Sequence, residues 1–207
     1  MLKSKNNRGF FLVLEGIDGS GKTTIANMLI KDLSNMGFKV HYTYEPWISL
    51  YVKVLKEEYS DFRDAYLDAL TYACDRLIHL KKDVLKMLSD GYIVISDRYY
   101  YSSVAYQSSQ NAPFEWVLTI NSVFPEPDLA ILLDVEPEIG LRRKTGFKSR
   151  FPEYENIDFL VKVRENYMKL VRMGKLVLIN ANASIENVYR EVFELFMKKY
   201  KAMVGEE

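Results

Sequence analysis

The chain has 207 residues, with 28 basic side chains balanced by 28 acidic ones, which excludes a general electrostatic grip on nucleic acid or an anionic membrane surface. It is 48% hydrophobic and 27% charged, enough apolar material for one folded domain over 1–207 and no signature of disorder. The single cysteine, Cys74, excludes an intrachain disulfide or a thiolate metal site, and two histidines, His41 and His79, are too few for a histidine metal centre.

The first apolar run, Phe10 to Leu14, stops at Glu15. It is too short for a membrane span of roughly 20 residues or for a secretory leader, so the expectation is a cytoplasmic protein. FFLVLE over 10–15 reads as a strand. A Gly-rich turn follows, then a helix over 22–36 closed by Gly37, and a second strand over 38–43. Leu67, Leu70, Ala73, Leu77, Leu80, Val84, Leu85 and Leu88 recur at three- and four-residue steps, which predicts one helix over 61–89. YIVISD over 92–97 is the third strand, a helix covers 113–122, and the continuously apolar 129–135 suits a strand covered on both faces. A helix over 137–143, a charged loop, a helix over 156–173, a strand over 175–180 and a helix over 185–200 complete the chain. Strand and helix alternate, so the fold class is α/β, with a five-stranded parallel sheet and helices on both faces.

In such folds ligands bind beyond the carboxyl ends of the strands. Two features stand at such ends. GIDGSGKT over 16–23 satisfies G-x-x-x-x-G-K-[ST] between a strand and a helix. Its glycines let backbone N–H groups turn inward around phosphate oxygens, and the helix N-terminus adds partial positive charge. Lys22 neutralises the β- and γ-phosphates of a nucleoside triphosphate, and the Thr23 hydroxyl serves Mg²⁺. The second feature is Asp97-Arg98, two charges at the end of an apolar strand, which are costly unless used. Asp97 and Asp134 are the two candidates for the acidic partner of the metal. A regulatory GTPase would carry N-K-x-D after a late strand, where this chain has Asn180-Ala181-Asn182-Ala183. The size fits a small kinase.

The chain resembles the thymidylate kinases, P-loop nucleoside monophosphate kinases that convert thymidine monophosphate (dTMP) to the diphosphate. The resemblance is carried by EGIDGSGKTT (15–24), Glu45-Pro46, YACDR (72–76), DRYYYSSVAYQ (97–107), PDLAILLDVEPEIGLRR (127–143), FLVKVRENYMKL (159–170) and LINANASIENV, nearly the whole chain. It implies a P-loop NTPase fold, ATP and dTMP as substrates, Mg²⁺ as cofactor and a homodimer. ATP would be bound by Gly16, Ile17, Asp18, Gly19, Ser20, Gly21, Lys22, Thr23, Thr24 and Arg143. Arg98 would clamp the acceptor phosphate, while Asp97 organises Mg²⁺ through water and fixes Arg98. Arg76 would bond the base edge or the phosphate, and Tyr72 would stack on the thymine ring. Tyr106 would fill the space of a ribose 2′-hydroxyl. Ser102, Ser103 and Gln107 would line the base pocket beside Glu45, and Asp18 would approach the sugar 3′-hydroxyl or the metal. Of Tyr99, Tyr100 and Tyr101, at least two should be packing residues.

The basic run RRKTGFKSR (142–150) reads as part of a lid over about 142–153, from which Arg143, Lys148 and Arg150 would reach the transferred phosphate. Two departures stand out. Some members of the family place an arginine after the P-loop aspartate, where this chain has Gly19, so the basic group should come from the lid. Many bacterial relatives read R-E-P-G-G at the end of strand two, where this chain has Tyr44-Glu45-Pro46-Trp47. The alternatives are a kinase of broader pyrimidine nucleoside monophosphates or of deoxynucleosides, and a regulatory NTPase that is not a kinase.

Overall fold

A computed structural model describes residues 8–47, 50–143 and 156–205. The chain runs β1 (Phe10–Glu15), α1 (Lys22–Asn35), β2 (Val40–Tyr44), α2 (Leu50–Glu57), a 3₁₀ turn (Ser60–Phe62) and α3 (Ala65–His79). A π turn (Leu80–Val84) leads into α4 (Leu85–Ser89), then β3 (Ile93–Asp97), α5 (Tyr100–Ser109), α6 (Phe114–Asn121) and β4 (Leu129–Asp134). The last elements are α7 (Pro137–Arg143), α8 (Ile157–Arg172), β5 (Val177–Asn180) and α9 (Ile185–Val204).

Among the described residues the five strands form one parallel sheet in the order β2-β3-β1-β4-β5. Successive side chains of a strand face opposite sides, and all six residues of β1 are buried, so helices cover both faces of the sheet. The core is built from Phe10–Leu14, Ile93–Ile95 and Leu129–Leu133 with Ile25, Leu29, Val104, Val163 and Phe196 packed against them. Each such side chain contributes roughly 1.5–3 kcal/mol by leaving water. Register then fixes the site, because Leu14 lies opposite Asp97 and Asp97 opposite Tyr44. The carboxyl ends of the three strands are therefore level, and the segments that follow them converge.

The structure departs from the periodicity in three places. The expected helix over 61–89 does not start at 61. Asp64 caps α3 by accepting from Leu67 N at 2.7 Å, and Arg63 pairs through two nitrogens with the buried Asp68, so the helix begins at Ala65. It also bulges into the π turn after His79. Two helices, α2 and α5, were not expected from the sequence, and only α5 lacks a periodic signal. In α5, Tyr100, Tyr101, Ser103, Val104, Ala105, Tyr106 and Gln107 are all buried, which leaves no polar stripe to reveal the helical period. Its N-terminus has no cap from its own residues. Instead Glu15, at the end of β1, accepts from Tyr99 N at 2.7 Å and Ser102 N at 3.2 Å, satisfying two of the orphan donors from another element.

Candidate active site

A cavity of about 650 Å³ opens beyond the carboxyl ends of β1, β2 and β3. The P-loop forms one wall. Gly16, Gly19 and Gly21 take φ of 142°, 79° and 93°, values that suit glycine and turn the loop's N–H groups to one side. Gly21 precedes the first residue of α1 without any side-chain cap, so the helix's positive end stays open to an anion. Asp18, Gly19, Gly21, Lys22, Thr23 and Thr24 line the cavity. Gly16, Ile17 and Ser20 do not; Gly16 and Ile17 instead offer their carbonyls to Lys22 Nζ, both at 3.1 Å. Burial and the neighbouring Arg98 charge pull the Lys22 pKa down, against Asp97, Asp18 and Glu15. A phosphate group beside it would favour the charged form. A Cβ at Gly19 would collide with the Gly140 carbonyl of α7, so the loop has no room for a side chain at the position where some relatives carry arginine.

Thr23 Oγ1 donates to Asp97 Oδ2 at 2.7 Å, and both line the cavity. This pair of hard oxygen donors beside the P-loop lysine fits Mg²⁺, which completes its shell from substrate phosphates and water rather than from a protein cage. Asp134, the other acidic candidate, is held by both Arg164 Nε at 2.7 Å and Nη2 at 2.8 Å and does not line the cavity.

Arg98 follows β3 with φ 76°, a left-handed conformation that costs a non-glycine residue about 1–3 kcal/mol. Its own N–H continues the ladder to Leu14 O at 2.9 Å, and its guanidinium is gripped from several sides. Nη2 donates to Asp18 Oδ1 at 2.5 Å and to Tyr106 OH at 3.4 Å, and Nη1 to Gly16 O at 3.0 Å and Ser102 Oγ at 3.1 Å. The Tyr106 ring lies 5.2 Å below the guanidinium carbon. Burial opposes its charge, but Tyr106, Asp18, Tyr167 and Asp97 outweigh that and raise its pKa. The residue that fixes Arg98 directly is thus Asp18, where Asp97 had been expected.

Behind Arg98 stands Glu15, fully buried. Its second oxygen accepts from Ser102 Oγ at 2.6 Å and Tyr167 OH at 2.8 Å. Burial raises its pKa, with Arg98, Ser102, Tyr167 and Tyr99 acting in the other direction. Neither Glu15 nor Tyr167 was assigned a role from the sequence. The signal was present only in Glu15, a charge at the end of an otherwise apolar strand.

Arg76, from α3, forms the opposite wall. It is buried, with Nε donating to Glu45 Oε2 at 2.7 Å, Nη1 to Asn121 Oδ1 at 2.6 Å and Nη2 to Ser103 Oγ at 3.0 Å. Its guanidinium carbon lies 5.6 Å from the Tyr99 ring centre and 5.5 Å from that of Phe124. Tyr44, Glu45, Tyr72, Ser102, Ser103, Tyr106 and Gln107 line this part of the cavity. Gln107 Oε1 is buried and has no hydrogen-bond partner among the described residues. Asn121, unassigned from the sequence, is the third holder of Arg76. Of the three tyrosines after Arg98, Tyr100 and Tyr101 do not line the cavity and their hydroxyls donate to Glu126, while Tyr99 lines it and donates its hydroxyl to Pro125 O. Arg143 lines the cavity and donates to Ala181 O at 2.8 Å. Lys148, Arg150 and most of the expected lid lie outside the described residues.

The thymidylate kinase family model matches residues 14–192 of the chain. The chain belongs to the thymidylate kinase family. It is 59% identical over 192 residues to a probable thymidylate kinase of Staphylothermus marinus, covering 93% of this chain and 96% of that protein. A probable thymidylate kinase of Pyrococcus horikoshii is 42% identical over 197 residues, 91% of this chain and 96% of the relative. One from Saccharolobus solfataricus is 37% identical over 188 residues, 90% and 96% of the two chains.

Proposed function

We propose that the chain transfers the γ-phosphoryl group of ATP to dTMP, giving dTDP and ADP. The observation that carries this reading is the pairing of a P-loop with two arginines, Arg76 buried and Arg98 part-buried, across one cavity. A second phosphate-bearing molecule suits Arg98, whose carboxylate partner, Asp18, is 43% exposed and so replaceable by a phosphate; a neutral nucleoside would make no use of the charge. The α1 N-terminus, the loop amides and Lys22 hold the donor phosphates, with Arg143 lining the same cavity. Thr23 and Asp97 would hold Mg²⁺, which would supply charge neutralisation for the donor phosphates.

Arg98 presents a planar fork to two oxygens of the acceptor phosphate. Asp18 holds the fork and lies near the sugar. Tyr72 stacks on the base, a contact worth roughly 1–3 kcal/mol. Of the five N–H groups of Arg76, three are used by Glu45, Asn121 and Ser103, leaving one on each Nη for the base edge. The buried Gln107 carbonyl suits the ring N–H of thymine. Tyr106 packs under the sugar. Transfer is direct and in line, with positioning and electrostatics supplying the catalysis. The lid over about 142–153 would bring Lys148 and Arg150 to the transferred group, which the crowding at Gly19 makes necessary.

The chain acts as one domain, in the cytoplasm. Among the described residues no helix is long and apolar enough to cross a membrane. We place a homodimer contact on α3, where Tyr66, Leu70 and Leu77 are 46%, 51% and 42% exposed along one stripe. Introducing a charge with Leu70→Glu should then halve the mass in sedimentation. The activity is tested by following ADP with ATP, Mg²⁺ and a panel of monophosphates and nucleosides. Turnover should need dTMP and be small with thymidine. ADP release indifferent to the acceptor would refute the reading.

A further inference from the structure

The acceptor wall is anchored from outside the cavity. His79 is the last residue of α3, 1% exposed, and does not line the cavity. It lies three residues after Arg76, on the same helix face. Its Nδ1 lies 3.3 Å from Glu45 Oε1, and its Nε2 lies 2.7 Å from Thr43 Oγ1. The indole of Trp47 stacks on the imidazole with centroids 5.5 Å apart and an interplanar angle of 17°. Glu45 is therefore bridged, one oxygen to His79 and the other to Arg76 Nε.

An ionised Glu45 can only accept, so it takes the Nδ1–H of His79, and the Thr43 hydroxyl lies within hydrogen-bond reach of Nε2. The carboxylate is thus clamped between two donors that both come from α3. Without the one from His79, Glu45 Oε1 would be a buried acceptor with a missing partner, free to turn away from Arg76. The π turn begins at Leu80, directly after His79. It carries Asp83, whose Oδ2 lies 2.9 Å from His41 Nε2 and 3.6 Å from His79 Nε2. Both histidines of the chain thus converge on one support, tied at its far end to Arg76.

We propose that His79 is a positioning residue of the acceptor subsite: it orients Glu45, which aims Arg76, and so sets dTMP affinity without touching dTMP. The proposal rests on Arg76 contacting the acceptor. Two conservative variants separate the two ring nitrogens. In His79→Asn the carboxamide takes the place of Nδ1 and can donate to Glu45; in His79→Gln it takes the place of Nε2 and reaches Thr43 instead. Steady-state kinetics of the full-length protein give KM for dTMP and for ATP separately.

The expected result is that His79→Gln raises the dTMP KM about tenfold, as loss of one hydrogen bond to a charged group implies, with the ATP KM within about twofold. His79→Asn should stay near wild type on both. Equal effects of the two variants, a larger effect of Asn, or parallel rises in both KM values would show that His79 only packs, overturning the proposal. A second readout is coupling. In a Glu45→Gln background, His79→Gln should add nothing to the dTMP KM, and full additivity would overturn the proposal. Failure of the functional reading is distinct, since wild type would then not turn over dTMP. Failure of the Arg76 premise is distinct too, since Arg76→Ala would leave the dTMP KM unchanged.

Discussion

Two arginines face the same cavity and are held in opposite ways. Arg76 sits in the last turn of α3, buried, with three side-chain acceptors fixed on its nitrogens and aromatic rings near its guanidinium. Arg98 sits at a strand end on a left-handed backbone, gripped by one carboxylate, a main-chain carbonyl, hydroxyls and a ring. The difference suits different tasks. A group that reads a flat base edge gains from a rigid, fully bonded mount. A group that takes a phosphate must leave a strong anionic partner replaceable, and Asp18, with 43% of its side chain exposed, is such a partner.

The largest effect should follow loss of Arg98. Arg98→Ala should lower kcat/KM for dTMP by about 10²–10³-fold, the range for removing one charge-stabilising donor, with ATP affinity within about twofold. Arg98→Lys should recover little, because an ammonium cannot span two oxygens. Equal losses in ATP binding and turnover would erase the distinction between the walls.

Arg76→Ala should differ in kind. It leaves the buried Glu45 carboxylate without its closest charge, so it should cost about 3–5 kcal/mol of stability and also raise the dTMP KM. Denaturant midpoints decide this, and an unchanged midpoint would mean that the mount is not rigid. The Tyr106 variants are subtler. Tyr106→Ala should narrow the preference for dTMP over its ribose counterpart by about tenfold, and Tyr106→Phe, which keeps the ring, should preserve it. If Phe narrows the ratio as much as Ala, the hydroxyl beside Arg98 matters more than the ring's bulk.

The smallest effect lies away from the cavity. Burial would raise the Glu126 carboxyl, but hydrogen bonds from Tyr100, Lys175 and Tyr101 hold its pKa below the usual carboxylate range. A depressed pKa adds stability above the unfolded value and loses it as pH falls through the folded one. Glu126→Gln should therefore flatten the acid limb of the stability profile slightly without changing kinetics. A kinetic effect would mean that the tyrosine run does more than pack.

What could be read from the sequence follows the range of the contacts. The P-loop is local, eight residues between strand and helix, and its motif was complete before any fold was known. The Asp97-Arg98 pair was legible because charge at a strand end is anomalous. The mount of Arg76 was not, since Glu45 and Asn121 lie 31 and 45 residues away and only the packing of α3 against the end of β2 and against α6 brings them together. Glu15 was hidden for a related reason: its partners, Tyr99, Ser102 and Tyr167, are up to 152 residues distant. Helix α5 escaped because it is buried on all sides and capped from another strand. Asp134 looked like a metal acid and proved to be the partner of Arg164.

The most direct test of the division between the arginines is a calorimetric titration of dTMP and of thymidine into wild type and Arg98→Ala. Wild type should bind the monophosphate at least about 100-fold more tightly than the nucleoside, the scale of one desolvated charge pair. That ratio should collapse toward unity in Arg98→Ala, with thymidine affinity nearly unchanged because Arg76 is intact. A variant that keeps the full ratio would contradict the assignment of Arg98 to the acceptor phosphate.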